Sequence, residues 1–116
     1  MARTPRKGEV WLIDPDPLEG RELRGPHYYI VLTEEALNLA LGVAICCPIS
    51  TGANARGVTV VVDGGSTLKG TVNGVVLCHQ VRALDLTERR AKFIILAESH
   101  LIDEVVMTLV DIIDPQ

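Results

Sequence analysis

A series of short runs rich in β-branched and aromatic residues, each closed by a proline, glycine or polar cluster, most narrows the folds open to this chain. Glu9-Val-Trp-Leu-Ile-Asp14 reads as a strand, stopped by Pro15 and Pro17, which cannot donate to a ladder. After a polar, glycine-bearing loop (18–26) comes a second strand, His27 to Thr33. Thr33 is placed to cap a short helix with Glu34 and Glu35 in its first turn and Gly42 at its end. Val43 to Ile49 forms a third strand, whose Pro48 predicts an edge or a strand end. Val58–Val62 and Val72–Cys78 follow, separated by the Asp63-Gly-Gly-Ser66 turn and Lys69-Gly70, and Lys92 to Leu96 is the last strand, after a short turn or helix near Thr87. Ser99 is then expected to cap a final helix with a wide apolar stripe: Leu101, Ile102, Val105, Val106, Leu109, Val110, Ile112 and Ile113. Core packing and a dimer interface are both open to a stripe of that width. Many short strands with turn signals between them predict a mainly β fold, a small antiparallel barrel carrying helices.

Composition bounds what such a barrel can do. At 116 residues the chain is read as one domain, 1–116, and 47% apolar content is too high for disorder. No run reaches the roughly 18 apolar residues of a membrane span, and the basic start, Met1 to Lys7, leads into Gly8-Glu-Val-Trp11 without a cleavage site of small residues. A cytoplasmic protein with no membrane association is therefore expected. Cys46, Cys47 and Cys78 lack metal-ligand or redox spacing and are read as small buried hydrophobes, so neither a metal nor a cofactor is expected. The net charge of −4 disfavours bulk nucleic-acid binding, but the acids gather toward the C-terminus and Arg3, Arg6, Lys7, Arg21, Arg24 and Arg56 occupy the first half. A local basic face is compatible with that distribution, because phosphate contacts need only a few side chains. With 3% aromatic residues, an open stacking platform for single strands is not supported.

Gly74 to Asp85 is the stretch where chemistry and fold meet. It opens as a buried strand and turns polar at His79, Gln80, Arg82 and Asp85. Two further polar clusters, Glu19–His27 and Ser50–Arg56, also adjoin strands, so three polar strand ends could assemble one site. Arg82 and Asp85 read as bracing residues for the strand end, and His100 as a surface residue at the start of the last helix.

These residues carry a resemblance. Arg6-Lys-Gly-Glu-Val-Trp-Leu12, Asp16-Pro17 with Glu19-Gly-x-Glu22 and Gly25, Pro48-Ile-Ser-Thr-Gly52, Gly74-Val-Val-Leu77 and Gln80-Val-Arg-Ala-Leu-Asp85 with Arg89 resemble, in order and spacing, the MazF/PemK toxins of bacterial toxin–antitoxin pairs. The resemblance runs from Lys7 to about Ile113. It implies an SH3-like barrel with a C-terminal helix, a homodimer, and a metal-independent endoribonuclease that cuts single-stranded RNA, often mRNA, at short sequences. It also implies a cognate antitoxin. Family members cleave by attack of the ribose 2′-OH on the adjacent phosphorus, leaving a 2′,3′-cyclic phosphate. That reaction needs a base, an acid, and donors for the charge growing on the phosphoryl oxygens.

The family's usual residues for those tasks are largely replaced. The arginine of "G-x-R-P" becomes His27 in Gly25-Pro-His-Tyr28, a PemK-type loop histidine becomes Arg21, and "R-x-D-Q" becomes Leu77-Cys-His79-Gln80. Ser50 keeps the hydroxyl after the third strand, beside Thr51. In one reading the chemistry is rearranged: His27 and His79 are acid and base, because imidazole titrates near neutral pH, Arg24 joins Arg21 and Arg56 as phosphate clamps, and Ser50 or Thr51 bonds the scissile phosphate. Glu22, Asn54, Gln80 and Arg82 complete the RNA-contacting set. In the other reading the site is silent and the protein works by binding antitoxin, or as a gyrase-type poison like the similarly folded CcdB toxins; a plain nucleic-acid-binding barrel is the third option.

Overall fold

A computed structural model of the chain describes residues 3–14, 26–50, 59–62 and 72–115. Among these residues the strands are β1 (Glu9–Ile13), β2 (His27–Val31), β3 (Ala44–Ser50), β4 (Thr59–Val62), β5 (Gly74–Leu77), β6 (Arg82–Leu84) and β7 (Lys92–Leu96). They form one antiparallel sheet in the order β4-β5-β3-β2-β1-β7, with β6 also paired to β3. The sheet is barrel-like but not closed; β4 and β7 are its edges. A short helix, α1 (Glu35–Leu41), links β2 to β3, and α2 (Ser99–Ile113) ends the chain.

Strand alternation divides the interior in two. Val10, Ile30, Cys47, Ile49, Val76 and Cys78 face one side, where Leu101, Ile102 and Val105 of α2 cover them. Trp11, Ile13, Tyr29, Val31, Cys46 and Leu84 face the other. Cys46 and Cys47 thus point to opposite faces, as a period of two requires, and all three cysteines are buried free thiols. Burying Leu101, Ile102 and Val105 contributes about 5–9 kcal/mol gross toward docking α2. The stripe of α2 is buried over a shorter length than its apolar sequence predicts, since Met107, Val110, Ile112 and Ile113 are exposed.

Several local expectations are corrected. Pro48 lies in the middle strand of the sheet, not on an edge. It pairs with Tyr29 of β2, and on its other side it falls between the β6 ladder (Ala44–Cys46) and the β5 ladder (Ile49–Ser50), where no donor is required of it. Thr33 does not cap α1; the N-cap position is Glu34, without a side-chain cap. The Thr33 hydroxyl instead accepts the Ile45 N–H at 3.1 Å and bonds the Asn38 side chain. Gly42 does close α1, in a left-handed conformation with its N–H on the Asn38 carbonyl at 2.9 Å. Ser99 is likewise the first residue of α2, following an N-cap position at Glu98 whose side chain does not cap the helix. The strand read over Val72–Cys78 is shorter, β5 at Gly74–Leu77; a 3₁₀ turn at Cys78–Gln80 follows it and packs beneath α2, and the polar stretch beyond contains a further strand, β6, that the sequence reading did not mark.

The start of β1 is tied by a buried carboxylate. Glu9, 2% exposed, accepts the Trp11 indole N–H at 3.1 Å and the Arg6 backbone N–H at 2.8 Å, and pairs with the Arg3 guanidinium.

Candidate active site

The end of the sheet formed by the start of β2 and the end of β3 carries the best-placed polar side chains. Tyr28 pairs with Ile49 and Tyr29 with Pro48, so the same antiparallel register sets His27 opposite Ser50, with Cα atoms about 5 Å apart. Alternation puts both on the face shared by Trp11, Ile13, Tyr29 and Cys46. His27 is half-buried and Ser50 is 5% exposed. On its other side Ser50 pairs with Val75, and the adjacent Gly74 lies so close that a Cβ there would stand 2.5 Å from the Ser50 carbonyl oxygen. Ser50 is therefore held between two strands by rigid backbone, the support a positioned hydroxyl needs.

Behind this pair lies a buried layer that sequence reasoning missed in part. Tyr29, 1% exposed, has its phenol pushed up to about 12 by burial, against the pull of the Arg82 and Arg89 guanidinium groups. Arg82 pairs with Cys46, which places its side chain on the His27–Ser50 face, and its Nη1 is shut away from solvent. Arg89 donates from Nη1 to the Asp14 carbonyl at 3.4 Å. Two cations thus stand close to Tyr29 on the sheet face that carries His27 and Ser50. Tyr29 is two residues beyond His27, so period-two reading from the histidine is the sequence signal that finds it.

His79 sits elsewhere. It is exposed in the 3₁₀ turn, and β5, which leads to it, lies on the opposite flank of β3 from β2. Val75 is level with Ser50, so His79 is four residues further along and two strand spacings across from His27, on the order of 15 Å. The acid–base pair read from the sequence is not assembled within one chain. Gln80 is half-buried in the same turn. Cys78 is core beneath α2 and not part of the His27–Ser50 face: its thiol is held low by a hydrogen bond with Cys47, which pushes the Cys47 thiol up. Asp85 braces the following turn, its Oδ1 accepting the Glu88 N–H at 3.0 Å, and the exposed His100 pairs with Glu98 at 3.1 Å. Arg21, Glu22, Arg24, Thr51, Asn54 and Arg56 lie outside the described residues.

The fold defines a class: a barrel-like antiparallel sheet with a C-terminal helix, as in MazF of Deinococcus radiodurans. A crystal structure of that protein superposes with a TM-score of 0.86 at 27% identity, covering 97% of this chain and 98% of that one. Residues 6–113 match the model of the PemK-like, MazF-like toxins of type II toxin–antitoxin systems, and the chain belongs to that family. It is 36% identical over 112 residues to the endoribonuclease toxin ChpB of Escherichia coli K12, covering 93% of each chain. It is also 32% identical over 89 residues to the endoribonuclease PemK of Escherichia coli, a match spanning 74% of this chain and 65% of PemK.

Proposed function

We propose that the chain is a toxin-type endoribonuclease that cleaves single-stranded RNA, with mRNA as its natural class of substrate, by 2′-OH attack to a 2′,3′-cyclic phosphate. It acts in the cytoplasm, as a homodimer, without a metal or other cofactor, and a cognate antitoxin restrains it. The observation that carries this reading is the β2–β3 register, which sets His27 opposite Ser50 on one sheet face, in a chain whose relatives PemK and ChpB are named endoribonucleases. His27 takes the 2′-OH proton on an imidazole nitrogen, Ser50 donates to a non-bridging phosphoryl oxygen, and as the P–O5′ bond breaks the leaving 5′-oxygen takes its proton from water. Arg82 supplies positive potential from behind. Arg21, Arg24 and Arg56 clamp neighbouring phosphates, with Glu22, Thr51 and Asn54 as further RNA contacts. His79 and Gln80 contact only RNA that extends to the 3₁₀ turn and take no part in the chemistry, so the active site is atypical in resting on one histidine. The antitoxin reading is supported by crystal structures of MazE–MazF complexes from Deinococcus radiodurans, which share this fold.

A competing reading, a silent member that acts by binding protein, is favoured by one observation. Leu77, standing where the resemblance places an arginine, is core at 5% exposure. A single 2′-deoxy substitution decides between them. The enzyme cuts a long RNA at defined sites and loses each cut when the nucleotide 5′ to it lacks its 2′-OH; the binder cuts neither substrate.

A further inference from the structure

On the same face of the sheet, further along β1, a pocket of about 290 Å³ is bounded by Arg3, Trp11, Thr87, Arg90 and Phe93. Two irregularities build it. The β1–β7 register shifts between Val10 and Trp11, so that Phe93 pairs with Trp11 while Ile95 pairs with Val10. Without that bulge Phe93 would share the α2 side with Ile95; with it, the ring meets Trp11 edge-on at 6.0 Å and 72°. Arg90 ends the turn after β6 with φ of 51°, a conformation in which glycine or asparagine costs less, and its exposed side chain lines the pocket. The Arg3 guanidinium lies over the Phe93 ring, 4.1 Å from its centroid.

We infer that this pocket is a subsite for one flanking nucleotide of the single-stranded RNA; the inference rests on the function proposed above. Bases stack on aromatic rings and on guanidinium planes, and the Arg3 guanidinium, backed by the Phe93 ring it covers, offers such a plane. Arg3 is already matched by Glu9, which leaves Arg90 to meet a phosphate. No acidic side chain lines this pocket among the described residues, whereas the larger cavity at the start of α2, about 580 Å³, carries Glu34, Glu98 and Asp103 and would repel one. Trp11 is two residues from Ile13, which pairs with His27, so the pocket lies about 12 Å from the candidate site, within reach of a strand seated there.

The test uses Arg90→Gly, which keeps the left-handed turn while removing the charge, and Phe93→Leu, which keeps an apolar contact while removing the ring. Binding is measured with an all-2′-deoxy, non-cleavable oligonucleotide across a salt series, and cleavage with the corresponding RNA; thermal unfolding checks that both variants fold. Arg90→Gly is expected to weaken binding about 3- to 10-fold and to lower the slope of log affinity against log salt by about 0.7. Phe93→Leu is expected to weaken it about 5- to 100-fold with little change in that slope. In both, KM for RNA rises while kcat holds. A parent that cleaves RNA, beside folded variants that bind and cleave as it does, overturns the subsite alone. A parent that neither binds nor cleaves any RNA overturns the functional reading and the subsite with it.

Discussion

Gly74→Ala tests the link between the sheet and the candidate site. A Cβ at Gly74 would stand 2.5 Å from the Ser50 carbonyl oxygen, 2.9 Å from Ile49 Cγ2 and 3.1 Å from the Ser50 carbonyl carbon. Ordinary van der Waals contact begins near 3.4 Å, so β5 must move from β3 by about 0.9 Å at this point. Two of those three atoms are backbone of a strand pinned on its other flank by β2, so no side chain can swing aside to absorb the change. Overpacking of this kind costs about 1–3 kcal/mol, and loosening one ladder hydrogen bond adds about 1 kcal/mol. The expected loss is about 2–4 kcal/mol, a fall in Tm on the order of 10 °C. Because Ser50 itself is displaced, RNA cleavage should fall further than stability explains, by about 10- to 100-fold at a temperature where the variant is fully folded. Gly42→Ala is the control: it forces a left-handed alanine (φ 75°) at a cost of about 1 kcal/mol, but nothing lies within 4 Å of its added methyl and it is remote from Ser50. Differential scanning calorimetry and an initial-rate cleavage assay on the three proteins decide the matter. A Gly74→Ala protein with parental Tm and parental cleavage refutes the close approach and its role in holding Ser50.

Other consequences concern stability. Glu9→Ala leaves the Trp11 indole N–H and the Arg6 N–H without their buried acceptor, so a loss of about 3–5 kcal/mol is expected in urea unfolding; Glu9→Gln, which keeps one carbonyl acceptor, should lose less than half of that. Alkali should weaken the fold from above about pH 9. Burial raises the Cys46 thiol from 9.0 to about 12 and the Tyr29 phenol from 10.0 to about 12, so the unfolded chain releases these protons first. The stability is complete below the ordinary values and is lost as pH climbs toward 12, by several kcal/mol in all; equal urea midpoints at pH 8 and pH 11, in reductant, would contradict this. Asn38→Ala should cost about 2–3 kcal/mol, since its side-chain amide donates at 2.9 Å to the carbonyls of both Pro5 and Thr33 from a site 4% exposed.

Element types were legible where the physics is local. Runs such as Glu-Val-Trp-Leu-Ile and His-Tyr-Tyr-Ile-Val announce strands by branching and by the prolines and glycines that bound them, and Gly42 announces the end of α1 because a left-handed residue is needed there. What depends on partners was not legible. Pro48 marks an edge only if its neighbours are unknown; it is tolerated mid-sheet because two different strands meet β3 on either side of it. Leu77 to Val81 contains no turn residue, so the 3₁₀ break that parts His79 from the His27–Ser50 face has no signature beyond its packing against α2. Arg90 likewise takes a conformation that its residue type does not announce. The facing of His27 and Ser50 is a property of register. The sequence marked both residues and could not say that they, unlike His27 and His79, lie side by side.

The most direct measurement is cleavage of a long single-stranded RNA by the purified protein in EDTA, beside His27→Ala and His79→Ala, with the product ends analysed. Cuts bearing 2′,3′-cyclic phosphate are expected from the parent, with a rate lower by about 100-fold or more in His27→Ala and near-parental cleavage in His79→Ala. Cuts by His27→Ala at the parental rate, or no cuts by the parent on any RNA, would contradict the proposed function.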